Sequence, residues 1–291
     1  MKRIDTLIPD IYNLFNTDHR FDEKNVKEFA DHLSAKLLGK LSEERGPPKL
    51  RMSNLGTPCT RKLWYNINHP ELAQTLPPQV HIKFLFGDIL ESLLLWLAKE
   101  AGHTVEGEQT VLDIDGVQGH RDAVIDGVLV DTKSASVRSF DKFVDHLELQ
   151  DDSFGYITQL GAYLAASVDD PIVRDKDVAA FFVVNKEKGE LTLDVQPATG
   201  VDYRARVAEI RQLLERDIPP DRPYRDVKEG ESGNRRLGPV CSYCEFKHTC
   251  WPGLRTFLYS KGPVHLTRVE REPQLKVPEV DRHGKFVERF L

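Results

Sequence analysis

The sequence has no strong excess of charge of either sign, no uninterrupted apolar run long enough to span a bilayer, few cysteines, no internal repeat and no low-complexity tract. Each deficit excludes something. A net charge of −6 means that a nucleic-acid ligand would have to meet a local basic groove rather than a globally basic surface. The longest apolar stretch, 82–101, is interrupted by Lys83, Asp88 and Glu91, which argues against a membrane span and hence against a membrane partner. The opening MKRIDTLIPDIYNLF is basic, but Asp5 and Asp10 break its apolar run, so no signal peptide is expected. Four cysteines in 291 residues without secretory features do not form a disulfide framework; their spacing points to a metal and to a reducing cytoplasm. What is present, 40% apolar and 9% aromatic residues, suffices for a substantial core in one large or two modest domains and excludes wholesale disorder.

Apolar residues at helical spacing (Ile4, Leu7, Ile8, Ile11, Leu14, Phe15, then Val26, Phe29, Ala30, Leu33, Leu37, Leu38) predict a helical segment over 1–50, ending at Gly46-Pro47-Pro48. A stronger helix begins near Lys83, with Phe86, Ile89, Leu90, Leu93, Leu94 and Leu97 on a broad core face, and closes near Gly102. Two Asp-Gly pairs, Asp115-Gly116 and Asp126-Gly127, flanked by short apolar runs, predict consecutive antiparallel hairpins. A helix follows over 155–166, strands over 178–184 and through Leu191, Leu193 and Val195, then an Arg-rich helix over 201–216. The Pro-rich stretch 218–224 is the best linker. Helix, strand meander, helix and strand pair together predict an α/β fold with a mixed sheet.

The sharpest chemistry lies between Gly119 and Lys133. Pairing of the two strands there would bring Asp122 and Asp131 together, and residues two apart in a strand share a face, so Lys133 joins Asp131. Two carboxylates and the Thr132 backbone carbonyl are hard oxygen donors suited to Mg²⁺ or Mn²⁺. An ammonium beside them can orient a water and offset charge on a phosphate. The plainer alternative is two turn aspartates and a solvated lysine. Against it, Asp131 and Lys133 follow the buried-looking run Val128-Leu129-Val130, where an unpaired charge is costly. His120 is a further candidate for a metal-adjacent or phosphate contact, and a structural His otherwise.

Cys241-x-x-Cys244 with Cys250, and Cys59 far upstream, supply four thiolates that suit Zn²⁺ or a [4Fe-4S] cluster; spacing alone does not choose. The segment 133–143 mixes hydroxyls, cations, Phe140 and Phe143. It reads either as a strand-following DNA contact or as a polar loop with two aromatic core anchors. Arg204, Arg206, Arg211 and Arg216 alternate with Glu209 and Glu215 as a solvated, paired helix face. The stretch 262–267 is a lone strand candidate within a tail that would pack on the core or meet a partner.

Gly119-x-x-Asp122 followed by Asp131-x-Lys133 resembles the catalytic signature of the PD-(D/E)xK nuclease superfamily. Gly87-Asp88-Ile89-Leu90-Glu91 resembles its first motif, and Gln159-Leu160-Gly161-Ala162-Tyr163 its Gln-x-x-x-Tyr motif in the RecB-like and lambda-exonuclease-like branches. Helicase-associated relatives commonly carry His four residues after the first glycine; Glu91 there resembles the phage-type recombination exonucleases instead. Ser53-Asn54-Leu55-Gly56-Thr57-Pro58-Cys59-Thr60-Arg61-Lys62-Leu63-Trp64, with the later Cys triplet, resembles the iron-sulfur nuclease domains of AddB-type enzymes and CRISPR-associated adaptation exonucleases.

The resemblance implies a restriction-endonuclease-like core whose mixed central sheet is flanked by helices and whose ends are clipped by a four-Cys cluster. It implies a helical segment over 1–50, a nuclease core over 51–255 and a tail over 256–291. It further implies that Glu91, Asp122, Asp131 and the Thr132 carbonyl hold Mg²⁺ or Mn²⁺, that Lys133 serves the hydrolytic water, and that Gln159 and Tyr163 steady the site or touch DNA. Cys59, Cys241, Cys244 and Cys250 would hold a [4Fe-4S] staple. Arg61 would pair with an acid or a phosphate, and Trp64 would be core or cluster cover. The implied activity is a metal-dependent DNA exonuclease in recombination, repair or replication of a bacterial virus or its host, working in the host cytoplasm with recombination or replication proteins. Its rivals are a silent DNA-binding or scaffold protein of the same fold and a zinc-stapled nuclease.

Overall fold

A computed structural model describes residues 2–16, 18–42, 46–259 and 262–274. The helices are α1 (Leu7–Asn16), α2 (Glu23–Ser42), α3 (Thr60–Asn68), α4 (Pro78–Glu100), α5 (Val137–Val144), α6 (Tyr156–Ala166), α7 (Tyr203–Leu214), and the single turns α8 (Pro239–Ser242) and α9 (Lys247–Cys250). The strands are β1 (Val105–Glu106), β2 (Val111–Ile114), β3 (Val117–His120), β4 (Ala123–Ile125), β5 (Val128–Ala135), β6 (Val178–Asn185), β7 (Leu191–Pro197), β8 (Val227–Lys228), β9 (Arg235–Arg236), β10 (Arg255–Tyr259) and β11 (Gly262–Arg268). None of the described helices is long and apolar enough to cross a membrane.

The chain divides into two compact units, one of residues 1–58 and 77–215, the other of 59–76 and 216–291. The first is built on a five-stranded sheet in the order β1-β4-β5-β6-β7. It is mixed: β5 and β6 run parallel, the other neighbours antiparallel. A parallel pair needs a crossover, and the segment between β5 and β6 supplies one that carries α5 and α6. Strand side chains alternate between faces. Val128, Val130, Ala180, Phe182 and Val184 therefore pack against Leu7, Ile11, Leu94, Leu97 and Ala98 of α1 and α4. The alternate set, Leu129, Asp131 and Lys133 with Phe181 and Val183, faces the other way. Each fully buried side chain such as Phe182 contributes roughly 1.5–3 kcal/mol. A sheet with helices on both faces is thus the α/β architecture that the alternation of elements predicts.

Both Asp-Gly turns form as expected. Asp115 and Gly116 take φ of 51° and 80°, and Asp126 and Gly127 take 51° and 89°, the paired positive values of a tight hairpin turn. The β2–β3 hairpin is a separate two-stranded sheet, whereas β4–β5 belongs to the central one. Three readings need correction. Residues 137–144 are helical, and Phe140 and Phe143, three residues apart on one face, are buried, so they anchor the core and do not wedge bases. Phe86 is 52% exposed, and no side chain of α4 is buried before Ser92, so the core face of that helix begins later than its apolar spacing implies. Residues 262–268 do form a strand, but it pairs with β10 and β9 rather than standing alone. The expected tail beyond 274 lies outside the described residues.

The second unit combines α3 with a four-stranded antiparallel sheet, β10-β11-β9-β8. Its two sequence-distant pieces are joined by Trp64 Nε1, which donates to the Arg216 carbonyl at 2.9 Å, and by the Gln74 amide, which donates to the Glu245 carbonyl at 3.0 Å. Trp64 is buried, as expected of a core residue. Arg61 forms no ion pair among the described residues: its guanidinium donates to the Pro220 carbonyl at 2.6 Å and to Tyr65 Oη at 3.2 Å. The Pro-rich stretch 218–224 begins just past the division between the units at 215/216.

Candidate active site

The register of β4 and β5 pairs Ala123 with Val130, so the residue before β4, Asp122, comes alongside the middle of β5. There Asp122 Oδ2 accepts from the Thr132 amide at 2.7 Å and the Thr132 hydroxyl at 2.8 Å. Thr132 therefore contributes its N–H and hydroxyl to Asp122, a role that its expected carbonyl ligation did not include. On the opposite face of β5, the Lys133 ammonium is ion-paired with Asp131 Oδ2 and lies 4.7 Å from the centre of the Tyr156 ring. Asp131 is 2% exposed, and its Oδ1 accepts from Gln159 Nε2 at 3.4 Å. Gln159 also donates to Tyr163 Oη at 3.2 Å. These two residues, one helical turn apart on α6, thus brace Asp131 from below, and Tyr163 is itself buried.

Glu91 approaches from α4. Its Oε1 meets Lys36 Nζ of α2 at 2.9 Å and accepts from Gln109 Nε2 at 2.6 Å. Gln109 holds a left-handed φ of 53°, uncommon for a residue with a Cβ and frequent at functional sites, and its amide donates to the Asp122 carbonyl at 3.2 Å. The neighbouring Arg121, 1% exposed, anchors the same segment through an ion pair with Asp170 at 2.7 Å. Lys36, Gln109, Arg121 and Tyr156 were not singled out by sequence. Lys36 lies between Ala35 and Leu37 in a helix, and no local pattern marks it as part of a site. His120 ends β3 opposite Val111 and is exposed.

Electrostatics tie the three acids together. Burial, and then the charge of Asp122, push the Glu91 carboxyl up to about 7, against the pull of Lys36 and Gln109. Burial also raises Asp131, to about 6; Lys133 opposes this and Asp122 adds to it. Burial alone would pull the Lys133 amine down, but Asp131 and Asp122 hold it above the ordinary lysine range. That direction favours the ammonium form, a hydrogen-bond donor. Among the described residues no three His, Cys, Asp or Glu side chains form a ready-made ligand set, and Lys36 and Lys133 sit on two of the carboxylates as internal counter-ions. The donor set nevertheless fits a hard divalent cation: clustered oxygens raise one another's proton affinity, which is the repulsion such an ion relieves.

Two glycines are dictated by this packing. A Cβ on Gly119 would fall 2.7 Å from Tyr163 Cε1 and 2.8 Å from Met52 Cβ. A Cβ on Gly155, which starts α6 at φ 77°, would fall 1.8 Å from the Gly56 carbonyl oxygen. Gly119→Ala is expected to destabilise the fold by about 1–3 kcal/mol through overpacking, read as a lowered midpoint in urea. An unchanged midpoint would show that Tyr163 yields freely.

In the second unit the four thiols line one cavity with Arg61, Lys62, Tyr65 and Trp251, and none is in a disulfide. Cys59 Sγ also caps α3, accepting from the Lys62 amide at 3.4 Å. Burial raises all three of Cys59, Cys241 and Cys244, and neighbouring thiols add to it: Cys250 acts on Cys59, Cys59 and Cys250 on Cys241, and Cys59 on Cys244. Soft sulfur donors that line one cavity suit a thiophilic metal or cluster, which would take up the charge of the thiolates.

No curated protein matches the sequence. Among solved structures, the crystal structure of SSO0001 aligns with a TM-score of 0.41 at 18% identity, covering 77% of this chain and 96% of that one, a likeness too low to bear on activity. The model of the PD-(D/E)XK nuclease superfamily, in contrast, matches residues 36–251. That span runs from the lysine facing Glu91 to the tryptophan after the last cysteine, and so takes in the whole carboxylate cluster; the chain belongs to the PD-(D/E)XK nuclease superfamily.

Proposed function

We propose that this protein is a divalent-metal-dependent DNA exonuclease of the RecB-like, phage-type branch, acting in recombination, repair or replication of bacterial or phage DNA with proteins of those pathways. The observation that carries the reading is the electrostatic coupling of Glu91, Asp122 and Asp131 around the middle of β5, with one half-buried ammonium, Lys133, among them. Glu91, Asp122, Asp131 and the Thr132 carbonyl would hold Mg²⁺ or Mn²⁺. Such a cation supplies acidification of water and charge neutralisation at the phosphate.

The chain's own groups do the rest. Lys133, held protonated, donates hydrogen bonds to the attacking water and to the phosphate oxygen that gains charge, and Asp131 aims its amine. Gln159 fixes Asp131 and is fixed in turn by Tyr163. Asp122, locked by two bonds from Thr132, keeps one carboxylate oxygen for the cation. Cys59, Cys241, Cys244 and Cys250 would bind a [4Fe-4S] cluster as a structural staple.

End-labelled linear DNA and covalently closed circular DNA, each incubated with the protein in Mg²⁺ or Mn²⁺, test the activity. The linear substrate is expected to shorten from its ends and the circle to persist. Linearisation of the circle at a comparable rate would replace the exonuclease reading with an endonuclease one, and intact DNA in both metals would remove the activity altogether.

A further inference from the structure

Lys133 opens on its far side into a cleft of about 210 Å³. Its wall carries a ladder of aromatic rings leading to the lysine. Phe154, 66% exposed, stacks on Tyr156 with ring centres 5.2 Å apart and planes at 24°, and Tyr156 carries the Lys133 ammonium on its face. Phe154 therefore presents a solvent-exposed ring at this cleft.

The remaining lining is polar and, on balance, suited to a phosphodiester backbone. Ser134, Ser136 and Ser139 offer hydroxyls. Lys142 gives one hydrogen bond to the neutral Asp151 carbonyl at 2.7 Å, so its charge stays uncompensated. Lys186 is exposed on the rim. Of the two aspartates in the cleft, Asp152 is spent on the amides of Phe154, Gly155 and Ile157 at the start of α6, which offset its charge. Only Asp151 opposes an anion.

We propose that this cleft takes an unpaired nucleotide of the DNA strand, its base stacked on the outer face of Phe154 and its phosphates beside Lys142 and Lys186. A ring in this position stacks only a base that has left its helix, so the preferred substrate is a single strand or a frayed end. The inference deepens the nuclease reading and rests on it for the identity of the ligand.

The test is fluorescence anisotropy with labelled oligodeoxythymidylate and a blunt duplex of equal length in EDTA, so that binding is read without cleavage. Wild type is expected to prefer the single strand. Phe154→Ala should weaken single-strand binding about tenfold, the usual size of one lost base stack, and Phe154→Trp should retain it; both replace an exposed side chain and leave the core intact. Equal single-strand affinity of Phe154→Ala and wild type, or a wild-type preference for the duplex, overturns the proposal. Parallel Mg²⁺ digestions separate the two readings. DNA cleaved by wild type with binding indifferent to Phe154 removes the stacking site alone. Phe154-dependent binding without any cleavage removes the nuclease and leaves the stacking site standing.

Discussion

Lys133→Ala and Asp131→Asn are each expected to lower Mg²⁺-dependent DNA cleavage by at least about 10²–10³-fold, the usual loss when one preorganised charge-stabilising group leaves an active site. Lys133 is held cationic by two carboxylates, and its amine is aimed by its bond to Asp131. Lys133→Arg should not restore activity, because a planar fork cannot occupy the site of a compact ammonium seated on Tyr156. The fold should survive, and Asp131→Asn carries its own signature. Raised carboxyl pKa values mean that folding disfavours the ionised forms, so the stability these groups contribute is full below pH about 4 and is lost as pH rises through about 6 for Asp131 and about 7 for Glu91. In metal-free buffer the variant should therefore gain on wild type as pH rises from about 4 to 7, and Mg²⁺ should shrink that gain by binding wild type. Thermal midpoints across this range check it. Full cleavage by either variant would remove Asp131 and Lys133 from the chemistry.

The second large effect concerns the cysteines. The purified protein is expected to be brown, with broad visible absorption, and Cys241→Ser with Cys244→Ser should bleach it. Tying residue 59 to the 241–250 segment closes a loop over most of the chain. In the chain-entropy picture, a crosslink over such a loop restrains the unfolded state by about 5 kcal/mol, so the bleached variant should lose up to that much stability while its carboxylate cluster stays assembled. A colourless protein with one bound zinc would keep the staple and reject the cluster. A protein that contains no metal, and whose stability ignores both substitutions, would reject the staple.

The strands were legible because their signals are short-range. The apolar run Val128, Leu129 and Val130 after the Asp126-Gly127 turn specifies one hairpin, and its register brings Asp122 alongside Asp131 without help from the rest of the chain. The Gln159–Tyr163 pair was equally visible, as i and i+4 on one helix. Helix α5 was not, since its eight residues are half polar and bury only two anchors, and burial of Phe140 and Phe143 rather than propensity makes it a helix. Phe86 misled for the converse reason: helical spacing shows which residues share a face, not how far along the helix a neighbour extends.

By itself, then, the order of residues determined the α/β class, the hairpins and the local meeting of Asp122, Asp131 and Lys133, because contacts across a tight turn cost little chain entropy and follow from side-chain period. Only the tertiary structure decided that Lys36 of α2 neutralises Glu91 of α4, that Gln109 in a left-handed conformation links Glu91 to Asp122, and that Phe154 stands outward beside Lys133. Those meetings join segments far apart in the chain, and the burial that sets their charges exists only once the helices have packed on the sheet.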